Sequence, residues 1–340
     1  MKICIGYQSA LEYWRVHRTL PENSALRQRN IVLPKKPPIT KQVKSSGLEL
    51  PLHIMLRSPE NRWVSSTMIQ HVFSGDTPAG CFISTEIGTG RGAGRGKGTG
   101  NIIGAEISSD DVFEVSAPEF CFLQMAEQLS LVGLIELGYE LCGKYSMPVD
   151  NDAQVPTRGF YNRPPLTSAK RISAFIARVP GFRGRRSANL ALRHILDGSA
   201  SPMETKLSML LTLPYRLGGF GLPKPDLNTS IFPSKTDSRS SGKGFYTCDL
   251  FWPDHDLAVE YDSDQFHTGS EHIADDSKKR NSLAMMGVTV ITITTQQLFN
   301  LSDFKKAVNI IAKRVGKRLE FKDPGFDAAH RELRNQLLPK

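Results

Sequence analysis

Cysteine is scarce in this chain. Five residues, Cys4, Cys81, Cys121, Cys142 and Cys248, are spread over 340 positions. Their odd number and the lack of any C-x-x-C spacing exclude a disulfide scaffold and a cysteine zinc clip. They read as reduced, mostly buried thiols of a cytoplasmic protein. Long apolar runs are lacking too. No stretch approaches the roughly 18 residues that a membrane span needs, so no membrane partner is expected. Met1–Tyr13 carries one lysine, Glu12 and no extended apolar core, which argues against a cleaved leader. Acidic residues are outnumbered, 34 against 43 lysines and arginines, for a net charge of +9. A basic surface favours polyanions because each bound phosphate releases counterions, although a basic balance is also simply solubilising. With 39% apolar and 23% charged residues, the chain is globular and long enough for two domains.

The pattern along the chain predicts a short strand at Lys2–Tyr7 followed by a helix, with Ser9 and Glu12 at capping-box spacing. Pro21–Gly47 lacks periodicity and reads as a solvated connection. Strands are predicted at Pro51–Arg57, Gly80–Thr85, Ile102–Ile107 and Val112–Val115. Gly90–Gly100, GRGAGRGKGTG, is a cationic low-complexity loop. Thr99 does not directly follow Lys97 and no apolar helix follows, so it is not a P-loop. Ser116–Ala126 predicts a helix with a second capping box, Ser116 to Glu119, packed against another helix that ends near Leu141. Ser146–Pro165 reads as a linker. Thr167–Val179 and Arg185–Leu196 predict two more helices, basic on the outer face, with Gly198 stopping the second. The expected organisation is an α+β region over 1–198, a second domain over 199–320 and a C-terminal tail over 321–340.

The chemistry concentrates in that second domain. Ser201 suits an N-cap and Pro202 the first helical position. Met203, Leu207, Leu210 and Leu211 then form an apolar stripe towards which Glu204 points. Glu204 is equally the N3 residue of a capping box, and that role alone accounts for it. Phe245–Trp252 and Leu257–Asp262 predict a hairpin of two buried strands. A turn centred between Asp254 and His255 sets Asp249 directly opposite Glu260, with Cβ atoms about 5 Å apart. Two opposed carboxylates among Leu250, Phe251, Trp252, Leu257, Ala258 and Val259 repel each other and lose solvation. A divalent cation compensates: hard Mg²⁺, with Mn²⁺ as a substitute, takes carboxylate oxygens and keeps several waters. Such an ion activates water for attack on phosphorus. Residues 275–286 predict a helix whose Lys278, Lys279 and Arg280 form a basic edge able to hold a phosphate. Val288–Thr294 predicts a buried strand and Asp303–Leu319 an amphipathic helix. The fold expected is α/β: a helix, a mixed sheet of about four strands and flanking helices.

Glu204, Asp249 and Glu260, in this order, resemble the acidic set of the PD-(D/E)XK nucleases. The run Val259-Glu260-Tyr261-Asp262-Ser263-Asp264-Gln265-Phe266-His267 is similar to a stretch of a family related to very-short-patch-repair endonucleases. Asp276-x-x-Lys279-Arg280-Asn281-x-Leu283 and Gly287-Val288-x-Val290 resemble that family's next helix and strand. The resemblance covers roughly 100 residues. It implies a restriction-endonuclease-like domain, a Mg²⁺-dependent endonuclease acting on DNA, metal ligands Asp249 and Glu260, and catalytic residues Glu204, Asp249, Glu260, Asp262 and His267. Two positions depart from the pattern: Asp262 stands where a lysine is usual and Ser263 where a glycine is. His267 and Lys279 are the candidates to replace that lysine. The departure at Asp262 sustains the alternative, a DNA-binding regulator whose nuclease fold is inactive. Ser116-Ala117-Pro118-Glu119, with the leucine-rich stretch ending Gly138-Tyr139-Glu140-Leu141-Cys142-Gly143, resembles abortive-infection antitoxin-like regulators, which favours a regulatory or DNA-binding role for the front half.

Overall fold

A computed structural model of the chain describes residues 3–16, 31–38, 50–86, 112–149, 159, 161–232, 245–263, 270–319 and 325–338. The fold is mixed α/β, with two sheets in two compact units. The first unit comprises residues 1–130 and 147–190; the second comprises 131–146 and 191–340. The boundary therefore falls at Leu190–Ala191 and not at 198, and an earlier segment of chain is lent to the second unit.

The first unit holds a five-stranded sheet in the order β3-β2-β1-β5-β4. Its strands are β1 (Ile3–Ile5), β2 (Leu52–Leu56), β3 (Met68–Val72), β4 (Phe82–Glu86) and β5 (Val112–Ser116). β1 is buried along its whole length and lies between antiparallel β2 and parallel β5. Its continuous apolar reading follows from that central place. β3 pairs with β2 at the sheet edge and was not legible in sequence, because His71 and Gln70 break its apolar run. Helices α1 (Tyr7–Val16) and α2 (Pro118–Met125) cover the core, with the Trp14 indole donating to the Ser116 carbonyl at 2.8 Å.

Two expected capping boxes are corrected here. Helix α1 begins at Tyr7, so Ser9 sits inside it and accepts the His53 N–H at 2.9 Å. Ser116 is the last residue of β5, and its hydroxyl donates to the Ile5 carbonyl. Ala117 is the N-cap of α2 without a side-chain bond, while Glu119 accepts from Thr167 at 2.7 Å and Arg171 at 2.9 Å. The S-x-x-E spacing is present in both cases, but a neighbouring strand captures each serine. The Gly90–Gly100 loop and the expected strand Ile102–Ile107 lie outside the described residues.

The second unit carries a four-stranded sheet in the order β6-β7-β8-β9. These are β6 (Asp226–Ile231), β7 (Tyr246–Trp252), β8 (Leu257–Asp262) and β9 (Thr289–Thr294). The first three are antiparallel and β9 runs parallel to β8. Helix α3 (Leu131–Cys142) packs on α6 (Pro202–Thr212): Tyr139 and Ser208 hydroxyls meet at 3.1 Å. The expected pairing of α3 with its sequence neighbour α2 is thus corrected, since the two belong to different units. Helix α4 (Ala169–Arg178) belongs to the first unit, and α5 (Arg185–Leu192) starts in it and ends just past its boundary. Helices α7 (Ser270–Met285), α8 (Thr295–Phe299), α9 (Leu301–Arg314) and α10 (Phe326–Leu337) complete the second unit. The segment expected as a tail contains α10, which buries Phe326, His330, Leu333 and Leu337. The five cysteines are free and buried, and no helix among the described residues is long and apolar enough to cross a membrane.

Gly218 ends a short turn of 3-10 helix, Tyr215–Leu217, with φ +85°. A Cβ there would overlap the Ala329 carbonyl of α10. Gly218→Ala is expected to lower stability by about 1–3 kcal/mol through strain and overpacking. A melting temperature equal to wild type would show that α10 moves aside freely.

Candidate active site: a carboxylate row on the second sheet

Leu250–Val259 and Trp252–Leu257 pair across β7 and β8, a register whose extension by one pair would set Asp249 opposite Glu260. The ordered ladder stops just before that pair. The Tyr261 N–H donates instead to the Asp249 carboxylate, at 2.9 Å, so the side chain substitutes for a strand carbonyl. On the other flank, Leu227–Leu250 and Thr229–Cys248 bracket Asn228 and place it opposite Asp249. Asn228, Asp249 and Glu260 therefore form a row across three strands. Asn228 has φ +48°, a left-handed conformation that asparagine tolerates better than most residues. Sequence reasoning missed it, and a positive φ within a strand leaves no pattern to find.

Glu204 joins the row from the start of α6. Ser201 caps the helix by accepting the Glu204 N–H at 3.1 Å, and Glu204 Oε2 accepts the Ala200 N–H at 3.0 Å. The same oxygen accepts from Asn228 Nδ2 at 2.6 Å. The two readings of Glu204 coexist: it caps the helix, and its buried carboxylate bears on the sheet. Burial, then the charge of Glu260, then that of Glu204, push the Asp249 carboxyl well above the ordinary aspartate range. The Tyr261 N–H and Lys279 oppose the shift without cancelling it.

Lys279 reaches in from α7 and donates to Glu260 Oε2 at 2.7 Å. Burial works against its charge, but Glu260 and Asp249 outweigh this and hold its pKa above the usual lysine value. The three cations 278–280 thus do not form one edge. Lys278 and Arg280 are exposed, whereas Lys279 is half-buried in the carboxylate row. Consecutive helical residues point about 100° apart, so the middle one turns away from its neighbours' surface. Asp262 ends β8 beside Thr294 of β9, and its carbonyl accepts from the Thr295 hydroxyl at 3.4 Å. His267 lies outside the described residues.

Among the described residues no three His, Cys, Asp or Glu side chains form a ready metal cage. The donor set nevertheless fits a hard cation that retains waters. Glu260 Oε1 is buried away from any nitrogen or oxygen donor among the described residues, with only the Cys248 thiol close to the same carboxylate. Asp249 is held between two like charges. With Asp249 holding its proton, Lys279 does not balance both Glu204 and Glu260, and a divalent ion would let Asp249 ionise beside them.

No family model matches the chain, and no solved structure matches it. It is 28% identical over 142 residues to two uncharacterized proteins of Mycobacterium tuberculosis, one from strain CDC 1551 / Oshkosh and one from strain ATCC 25618 / H37Rv. The match takes in 41% of this chain and 45% of each relative. The chain thus spans less than half the length of the curated relatives it matches.

Proposed function

We propose that the second unit is a divalent-metal-dependent endonuclease that hydrolyses phosphodiester bonds in DNA. One observation carries the reading: Asp249 is caught between the Glu260 and Glu204 carboxylates in a buried row that holds a single lysine. A structural hairpin gains nothing from such crowding. Asp249 and Glu260 would hold the cation, which when bound lowers the pKa of a coordinated water and neutralises charge on the phosphate. Lys279 fixes one oxygen of Glu260 and leaves Oε1 as a ligand. It also stands in place of the lysine that position 262 lacks. Glu204, locked by Asn228 and the Ala200 N–H, sets the negative field that keeps Asp249 responsive to a cation.

The Lys279–Glu260 ion pair also favours a second reading, in which the lysine replaces the metal and the chain is a DNA-binding regulator with an inactive nuclease fold. Supercoiled plasmid incubated with Mg²⁺, Mn²⁺ or EDTA separates the two. The nuclease gives nicked or linear DNA with metal and none with EDTA. Intact plasmid under all conditions, with a melting temperature indifferent to either metal, selects the regulator.

A further inference from the structure

We infer that helix α4 and the start of helix α5, both in the first unit, form a docking surface for the phosphate backbone of duplex DNA. The inference rests on DNA being the partner, and not on its cleavage. Between Asp152 and Asp197 the sequence has no acidic residue and nine cationic ones. Of the described ones, Lys170, Arg171, Arg178, Arg183, Arg186 and Arg193 are exposed, Arg185 is half-buried, and Arg163 is buried and donates to the Trp14 carbonyl. Helix α4 buries Ile172, Phe175 and Ile176 and exposes Lys170, Arg171, Ser173, Ala174, Ala177 and Arg178. A helix kept soluble by surface charge usually alternates acids with bases for i,i+4 support. This one offers cations separated by small residues, which lets a flat polyanion approach closely. Arg183 and Arg186, also exposed, extend the surface through the turn and into α5.

The placement of these charges costs the fold something. Lys170 and Arg171 stand in the first turn of α4, and Arg185 and Arg186 in that of α5, and neither turn has an acid. Helix dipoles favour anions there; Glu119 offsets Arg171, but Lys170, Arg185 and Arg186 sit where the folded chain alone disfavours them. A local rule broken without an internal gain points to function. Phosphate supplies the missing negative charge to both helix starts. The turn between the helices is fixed by glycine: Gly184, at φ +78°, presses on the Ala126 and Glu127 backbone, where a Cβ would crowd. Arg171 and Arg178, two helical turns and about 10 Å apart along α4, line one hollow with Ala79, Gly80 and Glu119. Arg171 is partly neutralised there by Glu119, at 2.9 Å. Arg178 stacks over Phe175, its guanidinium 5.7 Å from the ring centre, which leaves its N–H edges for oxygen acceptors.

The test uses the full chain, a fluorescent 20-base-pair duplex and EDTA, so that cleavage plays no part. Fluorescence anisotropy gives log K against log salt for wild type and for the triple variant K170Q/R178Q/R186Q. Arg171 is left alone because it is tied to Glu119. Each lost phosphate contact lowers the slope by about 0.9, so the variant is expected to lose about 2–3 from it. The charge-keeping pair R178K/R186K should keep the wild-type slope, which separates charge from misfolding. An unchanged slope in K170Q/R178Q/R186Q overturns the inference. So does a wild type that binds phosphatidylserine vesicles but not the duplex. Loss of slope in a chain that never nicks plasmid would sustain the docking surface while refuting the nuclease reading.

Discussion

Asp249→Asn should abolish metal-dependent cleavage and, in metal-free buffer, should melt above wild type. The amide keeps the shape of the side chain and its acceptor for the Tyr261 N–H, but it is a much poorer ligand for a hard cation. Losing a bound metal removes several kcal/mol of transition-state stabilisation, about a thousandfold in rate. The stability change has the opposite sign, because the amide relieves repulsion from Glu260 and Glu204. Its pH dependence follows from linkage. The folded pKa of Asp249 is raised above the unfolded value of about 3.9. The folded state therefore keeps a proton that the unfolded chain releases. This contribution to stability is fully present below about pH 4 and is lost as pH rises through the raised folded value. The melting-temperature gap between D249N and wild type should widen over that range. Mg²⁺ should close it by stabilising wild type alone, since it binds only the folded site. Parallel loss of stability with pH in both proteins would mean that Asp249 titrates normally.

Lys279→Met should produce the largest loss of stability at the site, and a loss that metal repairs. The lysine side chain is 27% exposed and its Glu260 partner 16%, so the pair is mostly but not wholly buried. Removing one partner of a fully buried pair costs about 3–5 kcal/mol, and partial solvent access reduces this to about 1–3 kcal/mol. The variant leaves Glu260, Asp249 and Glu204 without their cation. Mg²⁺ or Mn²⁺ should then raise its melting temperature more than it raises that of wild type. Lys279→Arg should retain stability but lower cleavage, because a planar guanidinium does not reproduce a point charge at 2.7 Å from Glu260 Oε2. A destabilised K279M that metal leaves unchanged favours the regulator, in which the lysine is the permanent counter-ion.

Much of this site was legible in the sequence, for local reasons. The strands Tyr246–Trp252 and Leu257–Asp262 are mostly apolar runs around a short turn, so the turn centre sets the observed register of Leu250 on Val259 and Trp252 on Leu257, which stops one pair short of Asp249 and Glu260. Ser201-Pro202 fixed the start of α6, and with it the height of Glu204. What stayed hidden depends on distant segments. Asn228 acquires its place only when β6 pairs with β7, and its side chain only when α6 delivers Glu204. The inward turn of Lys279 depends on the rotation of α7 over the sheet. Proximity in sequence suggested that α2 and α3 pack together; the structure instead assigns residues 131–146 to the second unit, with Tyr139 of α3 on Ser208 and Tyr145, just past the helix, on Thr205. Ser9 and Ser116 had the spacing of caps, yet each found a better partner on a strand.

The central claim is that a divalent cation belongs between Asp249 and Glu260. Crystals of the full chain soaked in Mn²⁺, with data collected where manganese scatters anomalously, test it most directly. The account predicts one strong anomalous peak within about 2.0–2.3 Å of carboxylate oxygens from both residues, close to the values for hard cations, and no such peak in D249N. Manganese bound elsewhere, or a row that stays metal-free with Lys279 still on Glu260 at millimolar Mn²⁺, would contradict it.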